Sequence, residues 1–292
     1  MNYIIFDLEW NQPPEEAAAV QSPVHLTGEI VEIGAVKLDE HFSLIDELRL
    51  YITPKYYTKM HRKVASLTGI RDQDLKDRGK PFPDAYREFA AWCGEEYTYM
   101  TWSMSDLPML LDNMQLHGLD TSNLPDCCDV QRIFAREIMR QDRRYALDDA
   151  LAILSETGDT AHDALHDAKN TAIVCNHLNL EEYLDEYVFR VFAEAPIPES
   201  FPSRREILDW VPLRQCRCPW CGQEFLGEPW LSFDRESCVS YSTCPEGDEF
   251  LLHLTVEPSI HGSFRVKRLL FEMSDDWWDL YCDRKDAVSA QN

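Results

Sequence analysis

Apolar residues recur with two different periods along the first two thirds of the chain, and the alternation between them marks out the elements. Residues 3–8 form a short apolar run of strand length. Residues 29–38 alternate apolar and polar positions as a half-buried strand does, with 44–52 as the hairpin partner. Helical spacing follows over 82–93, then a strand over 97–102 and a helix over 106–117. A short apolar strand over 127–130 leads into a helix through Ile133 and Ile138, and helical spacing returns over 147–154 and 164–178. Three strands first, then strands alternating with helices, predict a mixed α/β sheet flanked by helices in a domain spanning 1–190. Pro196, Pro198 and Pro202 interrupt any helix, so 191–211 reads as a linker. Beyond it, 212–292 forms a smaller domain with strands near 249–256 and 264–273 and with Trp277, Trp278 and Tyr281 as core.

Composition narrows the picture. The chain of 292 residues is 45% hydrophobic and 11% aromatic, enough for a sizeable core. No apolar run is long enough to cross a bilayer, and acids at Asp7 and Glu9 stand where a signal peptide needs an apolar stretch, so a cytoplasmic protein with no membrane partner is expected. Five of the ten cysteines crowd between 216 and 244, a pattern of reduced thiols rather than a framework of bridges. The net charge of −24 argues against holding long duplexes through phosphate contacts. What it leaves is a short substrate held at its end by metal ions, or a local basic patch.

The candidate chemistry starts with Asp7 and Glu9, two residues apart on a strand and hence on one face. Like charges so close raise each other's pKa unless a cation sits between them. Asp106 opens a helix straight after a strand, which aims it at the carboxyl end of the sheet or makes it a first-turn acid. His162 precedes Asp167 by five positions at a helix start whose small residues allow close approach to the sheet. Together with Phe6-Asp7-Leu8-Glu9 and Leu67-Thr68-Gly69-Ile70, these motifs resemble the DEDD-type 3′–5′ exonucleases of RNase H-like fold, over residues 1 to about 185. A histidine five positions before the last aspartate, rather than a tyrosine four before it, resembles the histidine branch, the RNase T and DNA polymerase III epsilon-like exonuclease domains. Many members carry threonine soon after the glutamate; this chain has Trp10-Asn11-Gln12 instead.

The resemblance implies two Mg²⁺ (or Mn²⁺) ions about 4 Å apart on Asp7, Glu9, Asp106 and Asp167, a set of hard oxygen ligands that suits such ions. Asp7 is expected to bridge the ions, Glu9 and Asp167 to hold the one carrying the attacking water, and Asp106 to hold the other through water. His162 is the expected general base, with His166 as its rival, roughly 100° away around the helix. Residues 53–63 carry cations and tyrosines without an acid, and Lys55, Tyr56, Lys59 and Arg62, with Trp10, are the expected grip on a nucleic-acid single strand or 3′ end. In the C-terminal domain the Cys218-Pro219-Trp220-Cys221-Gly222 knuckle, with Cys238 and Cys244, predicts one structural Zn²⁺ in a zinc-ribbon-like module that docks a protein partner or substrate. Cys216 and His253 are the substitutes. A polymerase-associated proofreading subunit and a non-catalytic adaptor stay open as alternatives.

Overall fold

The computed structural model describes all residues except 16–17, 22–23, 123, 142, 194–196, 198–200, 234–235, 259–261 and 290–292. The chain divides into two compact units, Met1–Val188 and Phe189–Asn292.

The first unit opens with strands β1 (Asn2–Asn11), β2 (Glu29–Leu38) and β3 (Leu44–Tyr51), followed by helices α1 (Arg62–Thr68), α2 (Asp72–Arg78) and α3 (Phe82–Cys93). Then come β4 (Tyr97–Thr101), α4 (Asp106–Leu116), β5 (Cys127–Asp129), α5 (Val130–Ile133) with a π-helical turn over Phe134–Ile138, α6 (Leu147–Leu154), α7 (Ala164–Cys175), α8 (Leu180–Tyr187) and β6 (Val188–Phe189), a two-residue strand in which the first unit ends and the second begins. The sheet runs β3-β2-β1-β4-β5-β6, with β1, β2 and β3 antiparallel and β1, β4 and β5 parallel. This is the mixed α/β sheet flanked by helices that the hydrophobic pattern predicts.

The strand β1 is central, and its apolar residues serve two cores. Tyr3 and Ile5 join Val36, Met100, Phe134, Leu165 and Ala168 on one face. On the other, Phe6 meets Tyr99 edge-on at 4.9 Å, and Phe89 of α3 stacks on Tyr99 at 5.8 Å. Side-chain alternation continues Tyr3 and Ile5 into Asp7 and Glu9, so both acids emerge on the face that α7 covers. That helix approaches β2 at Gly34, where a Cβ would lie 2.0 Å from the Leu165 backbone nitrogen. Only a residue without a side chain admits such contact.

The second unit holds β7 (Val191–Ala193), α9 (Arg204–Asp209), a 3-10 turn over Val211–Arg214, β8 (Gln215–Arg217), β9 (Glu224–Leu226), β10 (Leu231–Ser232), β11 (Ser237–Thr243), β12 (Glu249–Pro258), β13 (Phe264–Glu272) and α10 (Asp275–Ser289). Its antiparallel sheet runs β10-β11-β12-β13-β7, with β8 and β9 as a separate hairpin. Two parts of the stretch read as a linker belong to this unit: β7 pairs with β13, and Ile207 of α9 is fully buried beside Leu254 and Val256. Prolines exclude a long helix but leave room for these short elements; Pro196 and Pro198 themselves lie outside the described residues. Trp277 and Tyr281 are buried as expected, whereas Trp278 remains 42% exposed. Among the described residues, no helix is long and apolar enough to cross a membrane.

Candidate active site

Three elements deliver four acids to one cleft of about 440 Å³. The end of β1 supplies Asp7 and Glu9, the first turn of α4 supplies Asp106, and the first turn of α7 supplies Asp167; Trp10 and His162 also line the cleft. Asp106 is almost fully buried, and its Oδ1 accepts the Leu8 backbone N–H at 3.1 Å, which ties α4 to β1 between the two β1 acids. Ligand-type atoms of Glu9, His162 and Asp167 lie within 4.8 Å of one another.

Crowding shows in the proton affinities. Burial, followed by the charges of Asp106, Asp167, Glu9 and Glu32, raises Asp7 well above the usual carboxylate range. Burial, then the charges of Glu32 and Asp167, pushes Glu9 up to about 8. Asp106 is raised chiefly by burial, against the opposing pull of the Leu8 N–H. Asp167 is also raised by burial, and the His162 backbone N–H, which donates to its Oδ2 at 2.9 Å, works the other way. A cluster of acids that resist ionising together is a site prepared for cations.

The backbone at His162 has φ +63°, in the left-handed region, and this places its amide over Asp167. His166 does not line the cleft: its Nδ1 lies 3.7 Å from Asp163 Oδ1, on the N-cap of α7. Arg49 of β3 reaches Asp163 through a hydrogen bond and Glu32 at 3.4 Å. Glu32 is nearly fully buried, sits opposite Glu9 in the β1–β2 register, and is pushed up to about 7 by burial, with Arg49 opposing. Sequence reasoning passed over it because only strand register makes it a neighbour of the acids. Asp148, in the first turn of α6, also lines the cleft and was missed, with nothing in its local sequence to mark it.

Of the expected substrate grip, Trp10 lines the cleft; Lys55, Tyr56, Lys59 and Arg62 are exposed and do not. The reason lies in how their segment is anchored. Buried Glu29 accepts the backbone N–H groups of Lys55, Tyr56 and Tyr57 at 2.5–2.9 Å, and buried Asn11 donates to the Tyr57 and Lys59 carbonyls. The anchoring is through main chain, which leaves the cationic side chains outside the cleft. The Leu67-Thr68-Gly69-Ile70 motif closes α1: Gly69 caps it at φ +73°, and Leu67 and Thr68 wall the cleft.

In the second unit, Cys218, Cys221 and Cys244 gather with Asp248, and Cys238 does not join them. The strand β11 turns Cys238 into the core beside Leu254 and Ile207, where Arg204 Nη2 lies 3.3 Å from its Sγ. Cys216 packs with Phe225 and Phe250, and the His253 ring faces Phe271 and Phe233, so neither substitute takes part.

The model of the RNase T exonuclease family matches residues 4–175. Among solved structures, cell-death related nuclease 4 superposes with TM-score 0.51 at 19% identity, covering 60% of this chain and 62% of that one. The nuclease domain of 3′hExo, a DEDDh family member bound to rAMP, gives TM-score 0.52 at 22% identity over 62% of this chain and 92% of that one. The zinc-bound Escherichia coli exonuclease I–single-stranded DNA complex gives 0.51 at 13% identity, with 82% of this chain and 54% of that one covered. Thus the chain spans less than two thirds of the length of two of these proteins. At such identities the likeness shows the fold, an RNase H-like mixed sheet. No protein of curated function matches the chain.

Proposed function

The chain belongs to the RNase T exonuclease family, and on that premise we propose that its first unit removes nucleotides from the 3′ end of single-stranded or short RNA or DNA. The observation that carries the reading is the convergence of Asp7, Glu9, Asp106 and Asp167 on one cleft with His162 beside them. The donor set fits divalent cations of the magnesium or manganese kind: hard carboxylate oxygens that raise one another's proton affinity and want positive charge. These four acids would hold a pair of such ions. When bound, the ions stabilise charge developing at the attacked phosphodiester and make a coordinated water easier to deprotonate.

The remaining roles fall to side chains of the cleft. His162 accepts the proton of the attacking water, a task for which an imidazole is suited at neutral pH. Its backbone N–H steadies Asp167 at the same time. Trp10, Leu67 and Thr68 offer a largely apolar wall to the terminal base. The dimensions of the cleft fit one small ligand rather than a duplex, in keeping with a chain of charge −24. An adaptor that only binds gains nothing from four acids held in mutual repulsion.

The test is direct. Single-stranded RNA and DNA labelled at the 5′ end are incubated with the protein in Mg²⁺ or in EDTA. A ladder of stepwise shortening for at least one of them, abolished by EDTA, is the expected result; no shortening of either overturns the proposal.

A further inference from the structure

Two loops of the second unit have matching turns. The first joins β8 to β9: Cys218 N–H donates to the Gln223 carbonyl at 2.9 Å, Gly222 N–H donates back to the Cys218 carbonyl at 3.0 Å, and Gly222 has φ +71°. The second joins β11 to β12: Cys244 N–H donates to the Asp248 carbonyl at 2.9 Å, Gly247 N–H donates to the Cys244 carbonyl at 2.9 Å, and Gly247 has φ +100°. Each loop is a knuckle, and a Gln223–Glu246 hydrogen bond of 2.7 Å links the pair.

Between them the two knuckles bring together Cys218 Sγ, Cys221 Sγ, Cys244 Sγ and a carboxylate oxygen of Asp248, all within 4.8 Å of one another. Cys221 and Cys244 Sγ are 3.9 Å apart, and Asp248 Oδ2 is 3.4 Å from Cys218 Sγ and 3.1 Å from Cys244 Sγ. Zinc binds sulfur at about 2.3 Å and carboxylate oxygen at about 2.0–2.2 Å, so the edges of its tetrahedron are about 3.8 Å between sulfurs and about 3.5 Å between sulfur and oxygen. The observed spacings lie within half an ångström of those edges. They are far too long for a disulfide, and all three cysteines are free.

The geometry points to a structural zinc ion held by Cys218, Cys221, Cys244 and Asp248. Three thiolates select zinc over magnesium or calcium, and a closed set of four protein ligands leaves no position for catalysis. The ion fastens the β8–β9 hairpin to the turn between β11 and β12. That hairpin has strands of only three residues and would be marginal alone. Trp220, inside the first knuckle, stacks on Phe250 at 5.1 Å and meets Phe192 edge-on, so the clamp also fixes the aromatic cover of this core.

The full-length protein, stripped and reloaded with Co²⁺, should show the thiolate-to-cobalt charge-transfer absorption and tetrahedral d–d bands of a sulfur-rich site. Carboxylate sites in the first unit give no such charge transfer, so the readout does not depend on nuclease activity. Zinc competition should remove the signal at about one equivalent. Asp248→Ala should keep the charge transfer but weaken zinc by more than the roughly 10–100-fold that loss of an outer-shell partner costs. Cys244→Ser should reduce the charge-transfer intensity, and Cys238→Ala should leave both spectrum and stoichiometry unchanged. Absence of the signal in the wild-type chain, an unweakened Asp248→Ala site, or loss of the signal in a Cys238→Ala protein with native circular dichroism overturns the assignment.

Discussion

His162 donates its backbone N–H to Oδ2 of Asp167 at 2.9 Å, so the residue proposed to move the proton also braces one of the acids through main chain. The two contributions separate on mutation, because replacing the imidazole leaves the amide in place. His162→Asn, whose side chain tolerates the left-handed backbone at this position, should lower single-turnover cleavage by about 10²–10⁴ while Mg²⁺ binding persists. Cleavage at the wild-type rate would remove His162 from the chemistry.

The acid cluster makes metal-free stability depend on pH. Asp7, Glu9, Asp106 and Asp167 all hold protons more tightly in the fold than an exposed carboxylate does, Glu9 up to about 8. In the unfolded chain they ionise near pH 4, so between about pH 4 and 8 the unfolded state binds fewer protons and the cluster's contribution falls as pH rises. In EDTA the melting temperature should therefore fall more between pH 5 and 8.5 for wild type than for Asp106→Asn. Mg²⁺ should restore it in wild type and release protons on binding, measurable by calorimetry in buffers of different ionisation enthalpy. Equal pH dependence in both proteins would refute the electrostatic account.

Gly34 faces the start of α7 with no room for a methyl group, since the nearest atoms are backbone of Ala164 and Leu165. Gly34→Ala should cost about 3 kcal/mol in urea denaturation, the upper part of the usual overpacking range, and should also lower activity by displacing Asp167. A midpoint equal to wild type would show that α7 yields freely.

Removing the Glu29 carboxylate leaves three backbone N–H groups at Lys55, Tyr56 and Tyr57 without their acceptor. Glu29→Ala should cost about 3 kcal/mol, whereas Lys59→Ala, on an exposed side chain of the same segment, should stay within about 0.5 kcal/mol. Amide exchange at 55–57 should speed up only in the first variant. Equal effects would mean that composition, not anchoring, governs this segment.

What the sequence made legible follows periodicity. The run of β1 and its two acids and the helix over Phe82–Cys93, bounded by Pro81 and Gly94, are local patterns; β2, whose alternation predicts a half-buried strand, is instead buried on both faces except at Lys37. Register and turn geometry were not legible. Glu32 becomes a neighbour of Glu9 only through the β1–β2 pairing. Cys238 looked like a ligand by spacing, yet β11 carries it into the core while the next turn presents Asp248 instead. The basic segment at 53–63 advertised charge, but its placement follows from Glu29 and Asn11, which no local pattern connects to it.

Arg49 bridges Glu32 and Asp163, joining the edge strand to the start of the helix that carries Asp167. A permanent positive charge at that spot does part of what an ion would otherwise have to do: it holds the helix down whether or not the cleft is loaded. On the proposed reading, chelation should therefore leave α7 seated on the sheet through Arg49.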